Sequence, residues 1–333
     1  MSQGPHPLNP PLPTNLYFEV TNRCNLPCQH CVRTFNLHEE ERDPLPEELR
    51  RAAGGLPELR RMVLHGIGEP LLNKNLPEMI RFAKARGAWV LFNSNGTLLN
   101  RSWQDALIDC GLDELRISLD AATPETFEKI RGAPSFGKII ANLRQFVARK
   151  AERGVSHPRL SLWFVAMESN IHELPALVDL AADIGIPEVY FQRLVYNGLG
   201  VAQKTQSLHG QAEGTVRGII EQAVAHAEAR GVRFGASGAT TPLESLRLAD
   251  DPRPWSRCRR PWTSSYVTAH GKVLPCCIAP FAHQDFQGMV LGDLKEHSLD
   301  EIWNGETYQH FRERLQGDDP HPCCRTCGVG WSL

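Results

Sequence analysis

From Leu16 to Leu194, short runs of β-branched and aromatic residues alternate with longer stretches in which apolar positions recur every three to four residues. The first kind of run suits strands covered by other structure, the second amphipathic helices. Six strands are predicted, at 16–21, 61–66, 88–93, 114–119, 160–166 and 188–194, with helices near 75–86, 101–110, 124–130, 138–153 and 171–184 between them. Gly87, Gly111, Gly154 and Gly185 follow helix ends, where a glycine stop is expected. Repeated strand–helix units build a parallel sheet wrapped by helices. The fold class is therefore α/β, a partial (βα)6 TIM-like barrel with fewer units than the eight of a closed one.

Within these strands the polar residues share one parity. Asn93 goes with Asn95, Arg116 with Ser118 and Asp120, and Tyr190 with Gln192. If the apolar set faces the helices, the polar set points into the barrel, because strand side chains alternate sides. An interior this polar suits a ligand better than a packed core. Glu19 shares the parity of Thr21 and is expected either to face substrate or to pair with Arg116.

A further helix is predicted at 211–230, followed by a Gly/Ala/Thr-rich stretch at 235–241. The chain divides into a core at 14–235, a linker at 236–254 and a small cysteine-rich domain at 255–333. In that last part, strands at 265–268 and 272–274 flank the turn Ala269-His270-Gly271, and Ser298-Leu299-Asp300-Glu301 has the form of a capping box. So little apolar content needs a metal centre to become rigid.

A formal net charge of -2 over 333 residues offers no basic stripe for phosphates, which argues against nucleic acid as a partner. No apolar run approaches the roughly 20 residues of a spanning helix, and the proline-rich start lacks the apolar core of a signal peptide. The reading is cytoplasmic, without membrane association. Ten cysteines in such a chain read as metal ligands or reactive thiols rather than disulfides. They cluster, at 24, 28 and 31 and again between 258 and 327, while Cys110 stands alone on a helix and reads as core.

Thr21-Asn22-Arg23-Cys24-Asn25-Leu26-Pro27-Cys28-Gln29-His30-Cys31 follows the first strand at the end where barrel enzymes carry their chemistry. Three close thiolates can hold three irons of a cubane and leave the fourth open. A structural zinc site completed by His30 or by a distant residue is the plainer alternative. The spacing Cys24-x3-Cys28-x2-Cys31 resembles the signature of the radical S-adenosylmethionine (SAM) superfamily, whose open iron chelates SAM. His65-Gly66-Ile67-Gly68-Glu69-Pro70 is similar to the Gly-Gly-Glu-Pro motif of that superfamily. The resemblance implies SAM contacts for Gly66, Gly68 and Glu69, and for Asn93, Asn95, Ser118 and Asp120 at later strand ends. Asn170 is a further candidate, with helix capping as its alternative.

Cys258, the hairpin with Cys276-Cys277, Leu291-Gly292-Asp293 and Cys323-Cys324-Arg325-Thr326-Cys327 together resemble the SPASM/twitch auxiliary-cluster domain. That resemblance implies one auxiliary 4Fe–4S cluster on Cys258, Cys276, Cys324 and Cys327. Cys277 and Cys323 are alternative ligands, because adjacent strand residues point to opposite sides. A zinc ribbon is the structural alternative.

The implied activity is that of a radical SAM, oxidoreductase-like enzyme: reductive cleavage of SAM to a 5′-deoxyadenosyl radical that abstracts hydrogen from substrate. A flavodoxin or ferredoxin would supply the electron. The four-cysteine spacing resembles twitch-type dehydrogenases, and the first strand begins too early for a preceding leader-binding domain. Both favour oxidation of a small molecule, with the auxiliary cluster accepting an electron. Modification of a peptide presented by a partner is the alternative, and a non-enzymatic zinc or iron–sulfur sensor the alternative of another class. Tyr190, Gln192, Arg193, Tyr196 and Asn197 lie where substrate is expected.

Overall fold

The structure, a computed structural model, describes residues 6–238, 240–247, 252–281, 285–325 and 327. Parts of the anticipated linker and the end of the cysteine-rich domain lie outside these residues. All six predicted strands are present, as β1 (Asn15–Phe18), β2 (Arg61–Val63), β3 (Trp89–Ser94), β4 (Glu114–Ser118), β5 (Arg159–Ala166) and β6 (Glu188–Arg193). A seventh, β7 (Arg233–Ala236), extends the series beyond the six expected and pairs in parallel with β6. Helices separate the strands, among them Leu76–Ala85, Arg101–Asp109, Phe136–Glu152 and Leu174–Ile184. Gly185 closes the last of these with a φ of 89°, a left-handed conformation that costs glycine nothing.

The cysteine-rich part continues the same sheet. β8 (Ser264–Val267) lies parallel to the free edge of β1, and β9 (Lys272–Leu274) and β10 (Gly292–Asp293) follow antiparallel. The ten strands run in the order β10-β9-β8-β1-β2-β3-β4-β5-β6-β7. The anticipated capping box forms, with Ser298 Oγ accepting from the Glu301 amide and Glu301 Oε2 accepting from the Ser298 amide at 2.8 Å.

The proline-rich start is fastened to this part. Buried Arg312 stacks on Trp303 and Tyr308 and donates to the carbonyls of Leu8, Pro261 and Trp303. Trp303 in turn donates to the Pro11 carbonyl at 3.1 Å.

Burial along the strands alternates as the parity argument predicts. On β6, Val189 and Phe191 are fully covered by helices, while Tyr190 and Gln192 keep accessible surface. Asn93, Arg116, Ser118, Trp163 and Val165 are likewise half-buried on the inner face. The inner-face side chains therefore do not close the barrel interior, and the crevice they line keeps surface for a ligand.

Candidate functional site

The loop after β1 is held by its own polar residues. Thr21 Oγ1 donates to Asp43 at 2.6 Å, Asn22 Nδ2 to the Glu40 carbonyl at 2.7 Å, and Asn25 Nδ2 to Thr97 Oγ1 at 2.7 Å. Asn95 Nδ2 donates to Asn25 Oδ1 at 2.9 Å, tying the loop to the end of β3. Cys24, Cys28 and Cys31 are free thiols. Burial pushes the Cys24 thiol up and that of Cys31 to about 12, and Cys28 adds to both shifts, so the three sulfurs lie close enough to repel as thiolates. Arg131 Nη1 donates to Cys28 Sγ at 3.6 Å, and its Nη2 meets Asp120 at 2.6 Å.

A desolvated trio of thiols with one guanidinium beside it fits an iron–sulfur cluster, whose binding deprotonates its ligands and whose sulfurs accept hydrogen bonds. Among the described residues no three of His, Cys, Asp and Glu converge tightly enough for a single metal ion.

The Gly66–Pro70 segment packs against this loop at backbone distance. A Cβ on Gly68 would stand 2.3 Å from the Thr21 carbonyl oxygen, and one on Gly66 would stand 2.0 Å from Glu19 Oε1. Glu69 is buried, and its oxygens accept from Leu71 N at 3.1 Å, Ser94 Oγ at 2.8 Å and Asn95 N at 2.7 Å. Burial raises its pKa, and these donors pull it back. Glu69 thus assembles the edge that the resemblance assigns to SAM.

The remaining predicted residues divide. Asn93 Oδ1 is buried without a partner among the described residues, and Ser118 faces the crevice half-buried. Asn95 Oδ1 is taken by the amide and hydroxyl of Thr97. Asp120 is fully buried, with Oδ1 accepting from Val165 N at 2.8 Å and Oδ2 facing Arg131. Asn170 is also fully buried and donates to the Asp120 and Val165 carbonyls while accepting from Met167 N. It makes no side-chain cap to the helix turn that follows. Its amide joins the ends of β4 and β5, and it stands at the N-cap position of that turn by its backbone alone.

Glu19 corrects its expectation too. It does not pair with Arg116, which meets Glu114 at 2.7 Å and stacks 4.2 Å over Trp163. Glu19 accepts from Ile67 N at 2.8 Å, Ala269 N at 2.9 Å and the Tyr266 hydroxyl at 3.1 Å. Burial outweighs these donors and pushes its carboxyl up to about 7. Of the expected substrate residues, Tyr190 stacks on Trp163 at 4.0 Å and Gln192 shares its face. Arg193 points to the buried side, Tyr196 packs near Met167 and Leu194, and Asn197 Oδ1 accepts from Leu199 N.

In the cysteine-rich part, Cys258, Cys276, Cys324 and Cys327 line one small cavity together with Arg260, Phe311 and Leu315. Burial pushes the Cys276 thiol up to about 12 and raises the other three, and Cys276, Cys324 and Cys327 each also feel other members of the group. Four neutral thiols among proline, Phe311 and Leu315 form a donor set that fits a cluster. Cys277 turns the other way, its sulfur accepting from Arg260, and Cys323 lies outside the cavity beside Asp285.

The radical SAM superfamily model matches residues 18–157, and that of the SPASM iron–sulfur cluster-binding domain residues 258–328. Between them they account for more than half of the chain. The chain is a radical SAM enzyme with a C-terminal SPASM domain. Its cofactors are accordingly SAM, the 4Fe–4S cluster of the radical SAM domain and the auxiliary iron–sulfur centre of the SPASM domain.

The chain is 26% identical over 327 residues to the PqqA peptide cyclase of Granulibacter bethesdensis, covering 95% of this chain and 79% of that protein. It is 32% identical over 196 residues to the Fe-coproporphyrin III synthase of Methanosarcina barkeri, covering 57% of this chain and 46% of that one. The solved structure of Streptococcus suis SuiB bound to S-adenosylmethionine shares the fold, with a TM-score of 0.67 at 17% identity, over 90% of this chain and 68% of SuiB. No helix among the described residues is long and apolar enough to cross a membrane.

Proposed function

We propose that this chain modifies a side chain of a peptide or protein substrate by radical SAM chemistry. The observation that carries this is the match to PqqA peptide cyclase over 95% of the chain, spanning the core and the auxiliary domain alike. The expectation of small-molecule oxidation rests on cysteine spacing and on how early the first strand begins, and has no relative of comparable coverage among those described above.

In this reading Cys24, Cys28 and Cys31 hold the SAM-binding cluster. Gly66, Gly68, Glu69, Asn93, Asn95 and Ser118 build the SAM edge, and Asp120 acts on it through Arg131. Cys258, Cys276, Cys324 and Cys327 hold one auxiliary cluster. When bound, the cluster and SAM supply the reductive cleavage that yields the hydrogen-abstracting radical. The chain's own residues orient SAM, shield the crevice from water and hold the target within reach. A flavodoxin or ferredoxin is the one-electron donor.

The test is anaerobic. Protein reconstituted to about eight irons, two cubanes' worth, is reduced with SAM and a PqqA peptide or a random peptide library, and followed for 5′-deoxyadenosine and peptide mass. Loss of hydrogens from a peptide, dependent on SAM, supports the reading. Deoxyadenosine without any peptide change, together with oxidation of a small alcohol, would overturn it.

A further inference from the structure

Four partly buried side chains share the inner wall near the first strand: Tyr17 on β1, Arg61 and His65 on and after β2, and Arg116 on β4. The Tyr17 and His65 rings lie 6.1 Å apart, and the charges of Arg61 and Arg116 both act on both rings. The charge of Cys277 would act on both Tyr17 and Arg61, so the group lies close to the segment that carries Cys276.

All four groups are donors. His65 Nδ1 accepts the Asn93 amide at 3.0 Å, which fixes its hydrogen on Nε2. Burial and the two guanidiniums push its pKa down to about 3, so the ring is neutral. Among the described residues no hydrogen bond or ion pair within the chain reaches the Tyr17 hydroxyl, His65 Nε2 or the Arg61 guanidinium, and Arg61 Nε is buried. The nearby carboxylate, Glu114, is already divided between Arg116 at 2.7 Å and Arg159 at 3.1 Å. The wall therefore carries more positive charge than it balances, together with donors that lack acceptors. Leaving such groups unpaired when the crevice is filled is costly.

We propose that Tyr17, Arg61, His65 and Arg116 form a subsite that receives a carboxylate of the substrate. An Arg guanidinium presents a planar fork that matches the two oxygens, and the neutral imidazole and the phenol add single donors. The Trp163–Tyr190 stack flanks Arg116 and offers an apolar wall to the carbon chain that bears the carboxylate. This subsite rests on the reading of the crevice as the substrate chamber, and it narrows the substrate to acidic residues or a chain terminus.

The test uses the SAM-loaded holoenzyme with both clusters, titrated by calorimetry with N-acetyl-glutamate N-methylamide and with its neutral glutamine counterpart. The carboxylate is expected to bind roughly ten- to hundredfold more tightly. Arg61→Gln should abolish the preference, and Arg61→Lys, which keeps the charge and guards against a folding defect, should keep part of it. Glutarate binding as well as the capped residue supports the same donors acting on a free acid. Equal affinities in the wild type, a preference that survives Arg61→Gln, or weaker SAM binding in that variant would overturn the subsite. The last outcome would give Arg61 to the cofactor. Deoxyadenosine formation by the same wild-type preparation separates the two readings: its absence sinks the proposed chemistry, whereas equal affinities sink the subsite alone.

Discussion

Glu19 accepts the backbone amide of Ala269 at 2.9 Å across 250 residues of chain, joining the end of the first barrel strand to the turn of the auxiliary hairpin. Its other oxygen holds the Ile67 amide beside the glycines of the SAM edge. One carboxylate thus touches three segments: the strand that leads to the first cysteine loop, the Gly66–Pro70 edge proposed for SAM and the SPASM hairpin.

The pH response of that carboxylate is the first prediction. Its pKa is raised from 4.5 to about 7 by burial, so its contribution to stability is fully present below pH 4.5 and is lost as pH rises through 7. Between pH 6 and 8 the thermal midpoint should fall on this group's account, by the equivalent of about 1–3 kcal/mol. Glu19→Gln should flatten that slope while costing about 1–3 kcal/mol for the acceptor it lacks. A slope unchanged in Glu19→Gln would show that another group titrates.

The auxiliary cavity predicts a difference between neighbours. Cys276→Ala should lower iron from about eight to about four per chain, whereas Cys277→Ala should keep about eight. Iron and sulfide assays on anaerobically reconstituted protein decide it, and equal losses in both variants would mean that the sulfur facing Arg260 also reaches the metal.

Gly68→Ala tests the close packing of the SAM edge. The added methyl would meet the Thr21 and Arg23 carbonyls at 2.3 and 2.6 Å, backbone atoms that cannot swing aside as a side chain can. Overpacking of this kind costs about 1–3 kcal/mol, and the displaced edge should weaken SAM binding with it. Calorimetric SAM titration beside a thermal scan checks both, and a variant with unaltered SAM affinity would remove that edge from the cofactor.

The barrel strands were legible because their β-branched runs, buried on one side, stand out between glycine-stopped helices. β7 was not, since Arg233-Phe234-Gly235-Ala236 is short, carries a glycine and has no alternation to detect. The four cavity cysteines came from the resemblance to the SPASM/twitch pattern; Cys277 does turn away, but the Cys276–Cys277 pair lies in a turn beyond β9 and Cys323–Cys324 in a short helix, so strand alternation is not what separates them. The wiring of Glu69, Asp120 and Asn170 could not be read, because each has at least one partner 25 to 50 positions away that it meets only once the register is set. Arg61 and His65 share an inward parity that the sequence does display. What it lacked was any sign that Tyr17 and Arg116 share that wall with them, or that Glu114 is already shared.

The place of β1 in the sheet also has a bearing on how the protein is made. β1 is the first strand to be synthesised, yet one of its two neighbours is β8, which begins at Ser264. At about 5–20 residues per second on the ribosome, that edge stays unpaired for on the order of 10–50 s after β1 emerges. An exposed parallel edge is a template for pairing with other chains. During that interval the nascent barrel is vulnerable to aggregation, and a chaperone or an early-bound cluster would protect it. Truncation before Ser264 would make the vulnerability permanent.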